Sequence, residues 1–270
     1  MWPAWRNRLL TDHFTILLPA CLTGLLVLAT HVPLGRLVLD RGIVFIDLAI
    51  AQVAGLGVVA ADFLGFEPNG WSVQASAVIA ALIASTILIW TEKHYAAVQE
   101  ALIGTVFAVA ASAEIILLSF NPHGAENLKD LLVGQILWVL PEQLVPVAIL
   151  YAVVLGVLYV ARLGERRTLF YVVFAVTVTA SVQLVGVFLV FASLIIPALA
   201  ARTIGRGGLL VGYAVGAVGY ALGLIASALW DFPTGAAVVC GLAIAGVAWH
   251  GARTSARKAE TGVSTETRRA

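Results

Sequence analysis

The chain has 270 residues, of which 61% are apolar and 11% charged, against about 25% charged in soluble domains. With a mean hydropathy of +0.98 it reads as a multi-pass membrane protein, because no water-soluble core of this size hides so much apolar surface. A net charge of +1 gives no reason to expect a nucleic acid partner, and the two cysteines, Cys21 and Cys240, both fall in apolar stretches, against a disulfide framework or a zinc–thiolate site.

The opening MWPAWRNRLLTDH lacks the basic, apolar and small-residue regions of a cleavable leader, so the first span is read as retained. Apolar runs predict spans near 14–33, 43–64, 73–90, 101–119, 142–161, 168–197, 209–229 and 235–250. Residues 131–140 form a ninth apolar piece, too short to cross and followed by Pro141, which suits a re-entrant or half-helix element. The uncharged run Thr168–Ala201 is 34 residues long, whereas about 20 helical residues cross a bilayer. It is expected to be broken: a spanning helix to about Gly186, then a bent piece ending at Pro197. Gln183 is the polar residue beside that break, and broken helices at membrane depth often line transport routes.

The seventh span carries Gly212, Gly216, Gly219 and Gly223, a small-residue pattern read as packing within the subunit, with a dimer seam as the alternative. The tail 251–270 is polar and aperiodic and is expected to be disordered, leaving one transmembrane domain over 1–250. The fold class expected is therefore all-α and polytopic, with about eight transmembrane helices, a broken sixth helix and a half-helix element. An even count puts both termini on one side. The connections with Arg36, Arg41, Lys93, Arg162, Arg166 and Arg167 then face the cytoplasm, against those with Lys129, Arg202 and Arg206, although the basic termini vote the other way.

Acidic residues inside spans are costly and usually functional. Asp47 lies in the second span, where a solvated or Arg41-paired role and a functional one are both open. Asp62, near the far end of that span, reads as solvated. Glu114 lies well inside the fourth span and calls for a buried partner, a protonated hydrogen-bonded state or a role in cation handling. Asp47 and Gln52 sit roughly 140° apart around an ideal helix, which weakens a shared two-ligand site. In the connection NPHGAENLKDLL, His123 and Glu126 are three apart and suit a zinc or manganese contact, though an ordinary polar loop explains them as well. His13, His31 and His250 lie near span ends and read as structural, and His94 as interfacial. There is no P-loop, GxSxG, HExxH or CxxC, so any ATPase driving transport is another polypeptide.

The residues SVQLVGVFLVFASLIIPALAAR resemble the signature span of the ABC-3 family, the membrane subunits of bacterial zinc/manganese ABC importers. LVLDRGIVFIDLAIAQVAGLGV resembles its second-span region, and EALIGTVFAVAAS and DLLVGQILWV its fourth span and the half-element that follows. The resemblance implies a homodimer in the bacterial inner membrane, a separate ABC ATPase on each subunit and a solute-binding protein that delivers the ion. It implies no tightly bound cofactor: a divalent metal is the cargo and ATP is used by the partner. Many relatives carry Asp and, four residues on, His in the second span. Those positions fall here on Leu48 and Gln52, with Asp47 one residue earlier, and Gln135 replaces an acid often found after the half-element glycine. A branch of the family shares the FIDLA-A-Q and PHGAE patterns, which moves the implied cation contacts toward Asp47, His123 and Glu126. Asp47, Gln52, Glu114, Gln135 and Gln183 are thus the candidates for the translocation path. ATPase docking is implied for the short connection carrying Arg162, Glu165, Arg166 and Arg167, where relatives usually have a longer piece. The expected mechanism is alternating access at a dimer axis lined by the second and sixth spans. Alternatives are an importer of another divalent cation or a metal chelate, a stand-alone secondary carrier, and an intramembrane enzyme, which lacks a second catalytic motif.

Overall fold

The computed structural model describes the backbone of residues 4–66, 70–120, 131–134, 136–161, 166–202, 204–205 and 207–267, and side chains between Leu17 and Ser255. His123, Glu126, Gln135, Arg162 and Glu165 lie outside the described residues. Nine long helices run in chain order among those described: α1 (Ala4–Arg41), α2 (Ile46–Phe63), α3 (Trp71–His94), α4 (Gln99–Leu118), α5 (Pro141–Val160), α6 (Arg167–Val185), α7 (Val187–Arg202), α8 (Gly208–Trp230) and α9 (Thr234–Thr267). No strand occurs among the described residues, so the all-α expectation holds. Eight of these helices are long and apolar enough to cross a bilayer, and the shorter α7 is apolar throughout.

The sixth predicted span differs from expectation. It is two passages, not one kinked helix. Arg41, at the end of α1, places its guanidinium 4.4 Å from the ring centre of Phe170 in the first turn of α6. Arg36, one and a half turns earlier, lies 3.4 Å from where a Cβ on Gly208 at the start of α8 would sit. Both ends of the α6–α7 unit therefore meet the same end of α1, and α7 must run back across the membrane. The turn is made at Gly186, with φ +80° and ψ 163°, a conformation that side chains rarely tolerate. Pro197 does not end a helix: α7 continues through it to Arg202. A proline inside a membrane helix survives because neighbouring helices and polar side chains accommodate the freed backbone group.

The remaining passages are fixed by close approaches. Cβ atoms on Gly212 and Gly216 of α8 would fall 2.7 and 2.6 Å from Val32 and Leu28 of α1, and ones on Gly219 and Gly223 would fall 2.6 and 2.2 Å from Leu242 and Val238 of α9. The glycine pattern thus serves packing within the subunit, with α8 antiparallel to both neighbours. The eight long spans expected are present, and the shorter apolar α7 adds a return passage, so that among the described residues the helices cross nine times and the start of α1 and the end of α9 lie on opposite faces. The connections with Arg36, Arg41, Lys93, Arg166, Arg167 and Arg202 then share one face with the stretch carrying Arg253. We call this the basic end. The start of α1, with Arg6 and Arg8, is left for the other. Along 251–267 the chain continues α9 as helix.

The half-element is present in a shorter form. Residues 131–133 are helical, Gly134 turns the chain at φ +72°, and Ile136–Trp138 forms a 3-10 turn before α5. Its place is set by bare backbone. A Cβ on Gly134 would lie 2.2 Å from the Val185 carbonyl group, and one on Gly235 at the start of α9 would lie 2.0 Å from Val133 O. The Val133–Gly134 peptide is wedged between the α6–α7 turn and α9, at the face opposite the basic end.

Candidate functional site

The second span begins without a side-chain N-cap, since Phe45 occupies that position. Help comes from α4. Glu100, in its first turn, accepts a hydrogen bond from the Val44 N–H at 2.7 Å through Oε1, while its Oε2 is buried without a partner. Asp47 follows in the first turn of α2, where the helix dipole favours a negative charge. Its side chain is 1% exposed, and among the described residues neither carboxylate oxygen has a hydrogen-bond partner on another helix. The solvated role left open for Asp47 is therefore not what the structure adopts.

One and a half turns further on, Gln52 Nε2 donates to Glu114 Oε2, joining α2 to α4 inside the bilayer. Both side chains are buried, at 4% and 1% exposure. Gly55 makes the pairing sterically possible, because a Cβ there would press on Glu114 Oε1 at 3.2 Å. The partner of Glu114 is thus a neutral amide and not a cation. The structure brings Gln52 and Glu114 together and leaves Asp47 nearer the basic end, as the angular separation along α2 requires. Gln183 is half-buried on α6, three residues before the Gly186 turn. Arg166 and Arg167 are exposed at the start of α6, and Arg167 Nε lies 3.4 Å from Glu92 Oε1 at the end of α3. No group of three or more His, Cys, Asp or Glu able to hold a metal ion occurs among the described residues. His31 is buried in α1 with Nδ1 donating to the Val27 carbonyl at 2.9 Å, a structural role.

Attention to charged residues missed a second layer of polar contacts. The Tyr151 hydroxyl of α5 meets Ser181 of α6, and Ser193 of α7 meets the Tyr220 hydroxyl of α8 at 2.8 Å. Both link helices where hydrocarbon offers no competing partner. A tyrosine in mid-span was the signal for each.

Residues 13–163 and 165–249 match the sequence model of the ABC 3 transport family. The chain belongs to that family. The two matched stretches meet in the short connection between α5 and α6, and the match ends at residue 249, before the helical extension of α9. Among curated proteins, the high-affinity zinc uptake system membrane protein ZnuB of Haemophilus influenzae is 25% identical over 248 residues, covering 84% of this chain and 93% of that protein. A chain of the solved PsaBC complex from Streptococcus pneumoniae, bound to Fab, superposes with a TM-score of 0.72 at 20% identity, covering 88% of this chain and 93% of its own. A putative metal-chelate type ABC transporter in an inward-facing conformation gives 0.63 at 18% identity, covering 85% and 84%. The ABC 3 fold and a multi-pass place in the inner membrane follow.

Proposed function

We propose that this chain is the permease subunit of an ATP-driven metal importer, working as a homodimer with one ATPase chain on each subunit. Family membership and the zinc-uptake relative support the class of cargo. The absence of any nucleotide-binding motif from the sequence supports a separate ATPase. The charge asymmetry of the nine-passage topology supports a cytoplasmic basic end, where that ATPase docks, and an opposite face that receives cargo from a solute-binding protein.

The observation that carries the reading is the pair of acids on the α2–α4 seam. Among the described residues Asp47 has no partner on another helix and Glu114 has only an amide, so each buried carboxyl finds no countercharge there. Acids placed this way in a membrane mark cation pathways. The seam is closed in this state, so transport requires ATP-driven motion that parts α2 from its neighbours and exposes the acids. Carboxylate and amide oxygens suit manganese better than zinc, so a manganese-type cargo is the narrower proposal, with zinc and a metal chelate as the competing cargoes. The test is energy-dependent uptake of manganese and of zinc in cells carrying Asp47→Ala or Glu114→Ala. Loss of uptake by either variant, with the protein still in the membrane, is the expected result. Wild-type uptake by both removes the acidic path.

A further inference from the structure

Resting on the importer reading, this inference concerns Glu100 and what its charge is for. The connection from α1 to α2 is tight. Gly42 turns the chain at φ +70°, and the Ile43 and Ile46 N–H groups donate to the Val38 and Ile43 carbonyls, each at 3.3 Å. The Val44 N–H is taken by Glu100 Oε1 at 2.7 Å. That bond spans 56 residues of sequence and holds the first turn of α4 against the start of α2. Asp47 lies three residues beyond Val44, in the first turn of α2. Glu100 is close enough for its charge to act on the Asp47 carboxyl.

The bond to Val44 uses only half of Glu100. A glutamine carbonyl would accept it as well, at a lower cost than an acid in a membrane helix. Yet the residue is an acid, half-buried, and its Oε2 is buried without a hydrogen-bond partner among the described residues. Asp47 is in the same position. At 1% exposure, its carboxyl finds only the N–H groups of its own turn, at Asp47 and Leu48. The start of a helix supplies about half a unit of positive charge, which suits one carboxylate and falls short of two. Two carboxylates with oxygens to spare, completed by backbone carbonyls and water, suit a hard divalent cation.

We infer that Glu100 is the second carboxylate of a cation station whose first is Asp47, with Oε1 holding the start of α2 and Oε2 presented to the ion. Its ligand is a hard divalent cation that keeps part of its water shell. Glu114 is 14 residues further along α4, about 21 Å at 1.5 Å per residue, so the α2–α4 seam offers cargo two separate acid positions. On the proposed sidedness, the Asp47–Glu100 station is the one nearer the cytoplasm and the last before release.

The experiment titrates the purified full-length chain in mixed micelles with Mn2+ alone, reading free Mn2+ by its electron paramagnetic resonance signal, and follows energy-dependent Mn2+ uptake in cells in parallel. Glu100→Gln keeps an acceptor for the Val44 N–H and removes the charge. It is expected to weaken Mn2+ binding at least ten-fold, as is Asp47→Asn, and combining them should weaken it little beyond the worse single, because both hold one ion. Glu142→Gln, an exposed acid at the start of α5, should bind as wild type. Mn2+ should also raise the melting temperature of wild type but not that of Glu100→Gln, a readout that holds even where the variant melts lower. If Glu100→Gln binds Mn2+ as wild type does while Asp47→Asn loses uptake, Glu100 is only a cap, and the inference is overturned while the importer reading stands. If the wild-type chain binds no Mn2+, there is no station and the inference is again overturned; absence of energy-dependent metal uptake in the same cells would take the importer reading with it.

Discussion

Replacing Gln52 by Leu separates the two roles that the α2–α4 pair plays. Among the described residues the amide is the only hydrogen-bond partner of Glu114, which is 1% exposed. Interhelical hydrogen bonds in membranes contribute about 0.6–2 kcal/mol, and stranding a buried acceptor adds about 1–3 kcal/mol. Gln52→Leu alone should therefore cost about 2–4 kcal/mol. Glu114→Leu should cost about 1–3 kcal/mol by orphaning the amide. The combined variant leaves no orphan, and replacing both partners by apolar groups of similar shape is near neutral. Its cost should fall well below the sum of the two singles, giving a coupling of about 3 kcal/mol or more in an unfolding titration in mixed micelles. The same variant, folded and inserted, should lose metal uptake, because the acid is gone. Additive costs would refute the pairing. Normal uptake by the double variant would refute the functional role of Glu114 and leave the pair as helix glue.

The seating of the half-element gives a second prediction. Gly235→Ala is compatible with helical backbone, yet its Cβ would meet Val133 O at 2.0 Å, so the variant should be destabilised by about 1–3 kcal/mol in the same titration, and Gly251→Ala, with open space around it, should not. The nine-passage topology is tested by cysteine labelling in a Cys21→Ser/Cys240→Ser background. An impermeant maleimide applied outside intact spheroplasts should label Thr11→Cys and spare Thr267→Cys, and labelling of both or neither from outside would restore the even count. At Pro197, which lies inside α7 and does not end it, Pro197→Ala should leave the protein folded and inserted; failure to fold would show that the proline shapes the hairpin.

Much of the fold was legible because hydrocarbon enforces it: long uncharged runs become helices, and Asp47, Gln52 and Glu114 stand out as polar groups in an apolar background. The turn at Gly186 was legible as a break but not as a reversal. Length alone could not show that 16 residues from Val187 to Arg202 form a further passage. That information resides in long-range contacts, Arg41 with Phe170 and Arg36 beside Gly208, which no local pattern encodes. Pro197 misled for a related reason. Its cost in water predicts a helix end, whereas a packed membrane interior absorbs it. The 140° between Asp47 and Gln52 argued against a shared pair, but helical geometry on one span could not say that Glu114, 62 residues away, was the hydrogen-bond partner of Gln52.

An odd number of passages bears on how the chain enters the membrane. With the basic end in the cytoplasm, the stretch before the first passage is the part carried across, and it bears Arg6 and Arg8, which resist that transfer. The anchor that overrides them is downstream: Arg36 and Arg41, held at the far end of α1 by contacts with α8 and α6. On the proposed sidedness, the two arginines that set orientation during biogenesis are the ones that lie against the first turns of α8 and α6 in the finished subunit.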